Sequence, residues 1–163
     1  MICKTYSFEQ TYRLGKKFGL NIVESKDGGR FIFALNGGLG CGKTAFVSGL
    51  AHGLGIDGPV LSPSFTIVKE YTGGVYPLYH IDLYRLLESS DLMSFDFYEY
   101  ASSEKFVMAV EWADKFGDMG YLPEAPTIIG EISQDIEQDE NLRIFKFKFI
   151  NIGEKLKKEI STI

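Results

Sequence analysis

The sequence predicts an α/β fold in which helices pack on a mixed, partly antiparallel sheet. Short apolar runs of strand length alternate along the chain with segments whose apolar residues recur at helical spacing. Two pairs of neighbouring strand-like runs are each joined by a turn, which requires antiparallel pairing within each pair. A length of 163 residues is suited to one packed core, so we expect residues 1–163 to form a single domain.

The first third of the chain is predicted to run from helix to strand to helix. Ser7 and Gln10 have the spacing of a capping box, so a helix is expected to begin there. Three residues share the predicted buried face of this helix: Thr11, Leu14 and Phe18. The run Arg30–Leu35 is apolar after its first residue and is bounded by glycines, which predicts a buried strand. A second helix is predicted over Thr44–Leu54, with Gly55 as its stop.

The remaining elements are predicted from the same periodicities. A glycine-containing turn separates two strand-like runs and predicts a β-hairpin of Thr66–Tyr71 with Val75–Asp82. Residues 84–103 are expected to be helical, and Phe106–Val110 to be a second buried strand. A further pair of strands, joined by an acidic turn, is predicted at Thr127–Ile132 and Leu142–Ile150. The last ten residues are predicted to form a short helix.

The stretch LNGGLGCGKT, residues 35–44, joins the predicted strand to the second helix and matches the phosphate-binding P-loop pattern G-x-x-x-x-G-K-[ST]. Glycines let consecutive backbone N–H groups turn inward around phosphate oxygens, and the helix N-terminus adds positive potential. Lys43 would then reach the β- and γ-phosphates, and the Thr44 hydroxyl would bind Mg²⁺. The predicted fold is therefore P-loop NTPase-like, with three layers around the mixed sheet. The alternative is a glycine-rich turn that carries an exposed lysine.

Two carboxylates follow predicted strands. Glu111 comes directly after Phe106–Val110, where a P-loop enzyme places an acidic residue for Mg²⁺; the alternative is a strand that ends at a solvated glutamate. Asp82 ends another strand, with His80 on the same face because strand side chains alternate. Asp82 would orient the attacking water or the Mg²⁺ shell, or it would cap the turn that follows. We interpret His80 as structural, the alternative being a His/Asp metal site that lacks further ligands.

Composition excludes several classes of protein. Hydrophobic residues make up 45% of the chain and aromatic residues 14%, which argues against disorder. With a net charge of −5, tight unaided binding of nucleic acid is not expected. No apolar run approaches the length of a membrane span, residues 1–7 lack the apolar core of a signal peptide, and two cysteines do not make a disulfide framework. We therefore expect a cytoplasmic enzyme.

Four motifs in order give the chain a specific resemblance: LNGGLGCGKTAFVSGLAHGLG, SPSFTIVKEY, LYHIDLYRL and VMAVEWADKFGDMGYLP. Together they resemble the TsaE family, formerly called YjeE. These are small bacterial P-loop ATPases that are needed to form threonylcarbamoyladenosine in tRNA. The resemblance spans about residues 7–132, and the tail beyond is compatible with it.

The resemblance implies a cofactor set, a site and partners. It implies ATP and Mg²⁺, with TsaD and TsaB as partner proteins and tRNA contacted indirectly through their complex. The phosphates would be wrapped by Gly37, Gly38, Leu39, Gly40, Cys41, Gly42, Lys43 and Thr44. Thr44 and Glu111 would hold Mg²⁺, Asp82 would be the carboxylate needed for hydrolysis, and Trp112 would lie beside the site. Thr66 would be switch-like, and Ser7 would contact the base or ribose.

Departures and alternatives remain. The family usually reads GDLGAGKT, so Gly38 and Cys41 replace an aspartate and an alanine here. A small P-loop kinase would need a closed, arginine-lined site, whereas no segment clusters the four arginines and none is adjacent in sequence to the P-loop or to Glu111. A GTPase would carry an N-K-x-D-type motif, which is absent. A nucleotide-gated binding module whose hydrolysis is incidental is the third alternative.

Overall fold

The computed structural model describes residues 1–25, 29–86, 100–116, 125–135, 137 and 139–162. These residues form one seven-stranded sheet with helices packed against it. The strands are β1 (Ile2–Thr5), β2 (Arg30–Gly37), β3 (Val68–Tyr71), β4 (Leu78–Asp82), β5 (Phe106–Glu111), β6 (Thr127–Gln134) and β7 (Arg143–Ile150). The helices are α1 (Phe8–Glu24), α2 (Lys43–Gly53) and α3 (Glu154–Ser161), with a 3₁₀ turn at Ala113–Phe116.

The sheet has the order β1-β7-β6-β2-β5-β4-β3, and its pairing confirms the predicted mixed architecture. The central strands β6, β2, β5 and β4 are parallel, whereas β3 pairs antiparallel with β4 and β7 antiparallel with β6. Both predicted hairpins are thus present. The turn of the first hairpin is longer than predicted, because β3 ends at Tyr71 and β4 begins only at Leu78.

One strand was not predicted from the sequence. Residues Ile2–Thr5 form β1, which pairs antiparallel with β7 at one edge of the sheet. Four residues without an apolar run carry too little periodic signal to predict a strand, and the pairing depends on a partner more than a hundred residues away. The strand leads directly into α1, whose capping box is present: Ser7 Oγ accepts from Gln10 N–H at 3.1 Å.

Buried clusters cover both faces of the central strands, as a three-layer fold requires. On one face α1 and α2 bring Phe18 and Phe46 against Phe33 and Phe147, and ring centroids around Phe18 lie 4.8–5.9 Å apart. α3 adds Leu156 and Ile160 to this cluster. A second cluster covers the other face, from Ile32, Ala34, Tyr79, Ile81, Met108 and Val110.

The predicted helix over residues 84–103 lies mostly outside the described residues, which resume at residue 100. The helices that are described include none with the length and apolar character needed to cross a bilayer. The longest, α1, has 17 residues and one buried face that contains the predicted Thr11, Leu14 and Phe18.

Candidate functional site

The carboxyl ends of β2, β4 and β5 meet at one edge of the sheet. Asp82 and Glu111 are register partners across β4 and β5, and Glu111 is also paired with Leu35 of β2. Ligands of α/β proteins bind at this edge, outside the carboxyl ends of parallel strands. A cavity of about 450 Å³ opens there, and it is lined by residues 39–45 together with Phe8, Ser62, Ser64, Asp82, Tyr84, Arg85, Glu111 and Trp112.

The P-loop turns from β2 into α2 through residues with positive φ. Gly40 and Gly42 have φ values of 74° and 102°, and Gly42 is the N-cap of α2. A side chain at either position would strain the backbone, so the pattern of glycines is required by the turn itself. Gly37 and Gly38 are not among the residues that line the cavity.

The Lys43 ammonium folds back onto the loop. Nζ donates to the carbonyl oxygens of Gly37 and Gly38 at 2.7 and 2.9 Å, and it lies 3.6 Å from Cys41 Sγ. Nζ also lies 3.9 Å from the centroid of the Trp112 ring, a cation–π contact. The loop therefore holds a buried positive charge where the motif predicts phosphate oxygens.

Glu111 is a buried carboxylate with two close partners on one oxygen. The Thr44 hydroxyl donates to Glu111 Oε1 at 2.8 Å, and His80 Nε2 lies 2.8 Å from the same oxygen. Glu111 is 3% exposed and His80 is fully buried. The solvated strand end considered for Glu111 is therefore wrong, and His80 contacts the site through Glu111.

Asp82 accepts hydrogen bonds from a loop and from the turn that follows it. The Ser62 and Ser64 hydroxyls donate to Oδ2 at 2.6 and 2.5 Å, and the Tyr84 N–H donates to Oδ1 at 3.0 Å. Burial acts to raise the pKa of Asp82, but these three donors and the nearby His80 together hold that pKa below its ordinary value. Asp82 thus caps the following turn, as one alternative predicted, and it also lines the cavity.

Trp112 directly follows β5 and lines the cavity. Its φ of 60° is rare for a residue with a side chain, and such conformations cluster at functional sites. The indole ring packs against Tyr84 with centroids 5.2 Å apart. Arg85 also lines the cavity, and its guanidinium lies 4.0 Å from the centroid of Phe65, a ring that is 83% exposed.

Ser7 lies at a second, smaller cavity of about 140 Å³ that shares Phe8, Gly40, Gly42 and Ala45 with the larger one. Thr11, Asn141 and Arg143 complete its wall. The Ser7 hydroxyl is engaged as the cap of α1. Thr66 lines neither of these two cavities, and its hydroxyl lies 3.5 Å from the Pro63 carbonyl.

Several residues at the site were not assigned from the sequence. Ser62 and Ser64 bind the Asp82 carboxylate although they precede it by 20 and 18 residues in the sequence. Phe8 lines both cavities. No arginine is adjacent in sequence to the P-loop or to Glu111, but the fold brings Arg85 to the larger cavity and Arg143 to the smaller one. The one sequence signal for this contact was the pair of serines on either side of Pro63, in the loop that binds Asp82.

The side chains at the cavity suit a hard cation that takes oxygen ligands. Thr44 Oγ1 and the Glu111 carboxylate lie together beside the P-loop. In the described part of the chain, no group of three or more His, Cys, Asp or Glu residues is arranged to hold a metal by itself. Mg²⁺ is the ion that proteins bind through one or two side-chain oxygens together with substrate phosphates. The residues present therefore fit Mg²⁺ bound with a nucleotide.

Comparisons with known proteins agree with one another. The family model described as threonylcarbamoyl adenosine biosynthesis protein TsaE matches residues 5–143. The chain is 43% identical over 110 residues to a Bacillus subtilis protein named tRNA threonylcarbamoyladenosine biosynthesis protein TsaE, an alignment that covers 68% of this chain. It is 33% identical over 144 residues to the Treponema pallidum protein of that name, covering 88% of this chain and 98% of the relative.

A solved structure extends the likeness to the fold. The crystal structure of Bacillus subtilis YdiB has a TM-score of 0.68 to this chain and 34% identity, and the alignment covers 99% of this chain and 94% of that one. The sequence alignments are shorter for some relatives. They span 65% of the Bacillus subtilis protein and 59% of a Synechocystis protein that is 45% identical.

Proposed function

Since the chain belongs to the TsaE family of tRNA threonylcarbamoyladenosine biosynthesis proteins, we propose that it is a Mg²⁺-dependent ATPase that serves this modification together with TsaD and TsaB. The observation that carries the proposal is the convergence of Lys43, Thr44 and Glu111 on the cavity at the carboxyl ends of the parallel strands. A P-loop lysine, a hydroxyl and a carboxylate in this relation are the parts that P-loop ATPases use.

The chain's own residues divide the work of binding. Backbone N–H groups of the P-loop and the N-terminus of α2 face the phosphates, and Lys43 exchanges the carbonyls of Gly37 and Gly38 for phosphate oxygens. Thr44 and Glu111 hold Mg²⁺, which neutralises charge on the β- and γ-phosphates when bound. The smaller cavity near Ser7 shares Gly40 and Gly42 with the larger one and does not include Glu111, so it would accommodate the nucleoside.

Asp82 is the residue of this site that can direct a water molecule. An aspartate whose pKa is lowered stays ionised at neutral pH and accepts a hydrogen bond from the attacking water. Ser62 and Ser64 fix its carboxylate through Oδ2, so its orientation does not depend on solvent. Asp82 therefore orients the water, and the loop that carries the serines sets that orientation.

The proposed setting is the cytoplasm, where the tRNA is modified. The net charge of −5 supports contact with tRNA through the TsaD–TsaB complex rather than directly. We infer that ATP hydrolysis on this chain drives a step of that complex and that the carbamoyl transfer itself occurs on TsaD.

The test is reconstitution of tRNA modification from purified TsaD, TsaB, ATP, the threonylcarbamoyl donor and unmodified tRNA, with and without this chain. We expect sustained modification when the chain is present. Lys43→Ala should fail to support it, whereas Ser161→Ala, at an exposed position of α3, should act like the wild type. Equal modification without the chain, or with Lys43→Ala in its place, would contradict the proposal.

A further inference from the structure

His80 contacts the proposed Mg²⁺ ligand from the neighbouring strand. It lies in the fully buried strand β4, and its register partner in β5 is Ala109, two residues before Glu111. Residues two apart in a strand share a face, so His80 and Glu111 both face α2. His80 Nε2 and the Thr44 hydroxyl lie at the same 2.8 Å from Glu111 Oε1.

The contact with Glu111 shows which nitrogen of the His80 imidazole carries a proton. An ionised carboxylate oxygen only accepts hydrogen bonds, so His80 Nε2 is the donor. Among the described residues, His80 Nδ1 is the buried side-chain nitrogen for which no partner is found. Nε2 therefore carries the proton that Glu111 Oε1 accepts.

We propose that His80 is a positioning residue that holds the Glu111 carboxylate in place for Mg²⁺. The inference rests on the proposed function. Thr44 belongs to the P-loop helix and responds to the nucleotide, whereas His80 is fixed within the sheet and is fully buried. A carboxylate held by Thr44 alone could pivot about its own bonds. With both donors on Oε1, its plane is set, and Oε2 remains available as a ligand. Outer partners of this kind affect metal affinity in proteins by about 10- to 100-fold.

A pair of variants separates positioning from packing. In His80→Gln the amide nitrogen reaches about the place of Nε2 and still donates to Glu111. In His80→Asn the amide is one methylene shorter and ends near the place of Nδ1. Both variants bury a similar amide, so a purely structural role predicts similar effects. His52→Gln is the matched control, because His52 bonds to the Ser48 carbonyl within α2 and lines neither cavity.

The first measurement uses the protein without nucleotide or metal. The chain has two histidines, so ¹⁵N-labelled histidine gives two ring spin systems, which His52→Gln assigns. His52 Nδ1 lies 2.7 Å from a carbonyl oxygen and must carry its proton there. For His80 we expect a slowly exchanging proton on Nε2, the nitrogen that faces Glu111. A His80 ring without a proton on Nε2, or rapid exchange of that proton, would overturn the inference.

The second measurement is ATP binding by calorimetry across a Mg²⁺ titration. In His80→Asn we expect the Mg²⁺ concentration for half-maximal effect to rise by about 10- to 100-fold, while ATP affinity without Mg²⁺ is unchanged. His80→Gln and His52→Gln should stay near the wild type. Equal responses of the Asn and Gln variants, both folded by circular dichroism, would overturn the positioning role alone. If the ATP affinity of the wild-type protein did not change with Mg²⁺ concentration, the metal assignment would be overturned, and the positioning role of His80 with it.

Discussion

At the scale of single residues, Lys43 and Trp112 form a reporter of nucleotide binding. The Lys43 ammonium lies over the indole ring, and phosphate oxygens compete for that charge. We predict that Mg²⁺-ATP changes the emission of Trp112, the one tryptophan of the chain. Lys43→Met should weaken ATP binding by roughly 1.5–3 kcal/mol, the strength of a charge-assisted hydrogen bond, and should remove the spectral change. Emission unchanged at a nucleotide concentration that calorimetry shows to be saturating would contradict this.

Asp82 gives a second residue-scale prediction, on pH. Its folded-state pKa is lowered, so its ionised form stabilises the fold above the unfolded-state pKa of about 3.9, and this contribution is lost as the pH falls through the folded-state value. Ser64→Ala should cost about 1 kcal/mol at neutral pH, with the charge-dependent part of that cost vanishing in acid. Urea unfolding at several pH values measures it.

Two backgrounds control the Asp82 experiment. In Asp82→Asn no carboxylate titrates, so the Ser64→Ala cost should no longer vary with pH. Ser161 bonds a backbone carbonyl rather than a carboxylate, and Ser161→Ala should give a cost that is small and independent of pH. A Ser64→Ala cost that stayed constant from neutral pH into acid would show that the serine does not act through the charge of Asp82.

At the scale of elements, α1 and α2 approach closely enough that glycines are required between them. A methyl group at Gly49 would overlap the Tyr12 carbonyl oxygen, and one at Gly15 would overlap that of Phe46. We predict that Gly49→Ala and Gly15→Ala each destabilise the fold by about 1–3 kcal/mol, although alanine is the better helix former. Thermal unfolding measures this, with Gly38→Ala as the control because nothing lies within 4 Å of its built Cβ. A melting temperature kept or raised by both helix variants would contradict the close approach.

The elements also show what a sequence can and cannot predict. Periodicity and glycine punctuation are local signals, so both hairpins, the P-loop strand and its helix were predictable from them. Strand β1 was not predictable, because it forms by pairing with β7, which is distant in the sequence. At the site, the P-loop and Glu111 were both predictable, because each lies at the end of a strand that the sequence predicts. The serines that hold Asp82 come from a loop, and no periodic pattern relates them to that carboxylate.

At the scale of the whole molecule, the site is open on one side and its border is apolar. Phe8 and Leu39 line the cavity and Phe65 packs under Arg85 at its edge, and all three side chains are at least 66% exposed. Arg85 lies at the cavity but is held over the Phe65 ring rather than directed at the P-loop. In other P-loop enzymes, a correctly placed arginine raises turnover by about 10³- to 10⁵-fold. At the proposed nucleotide site, the isolated chain therefore has no arginine placed for fast hydrolysis.

We accordingly predict slow ATP hydrolysis by the isolated chain and faster hydrolysis when TsaD and TsaB are added. Arg85→Ala distinguishes two sources of the gain. If partners move the chain's own arginine from Phe65 into the site, Arg85→Ala should bind ATP normally and lose most of the stimulation. Arg13→Ala should keep the stimulation, because the exposed Arg13 side chain pairs with Glu9 on α1 and lines neither cavity. If partners supply an arginine of their own, both variants should be stimulated like the wild type. Fast turnover by the chain alone, unchanged by partners, would contradict the prediction, because an apolar border and a displaced arginine would then have no consequence for the rate.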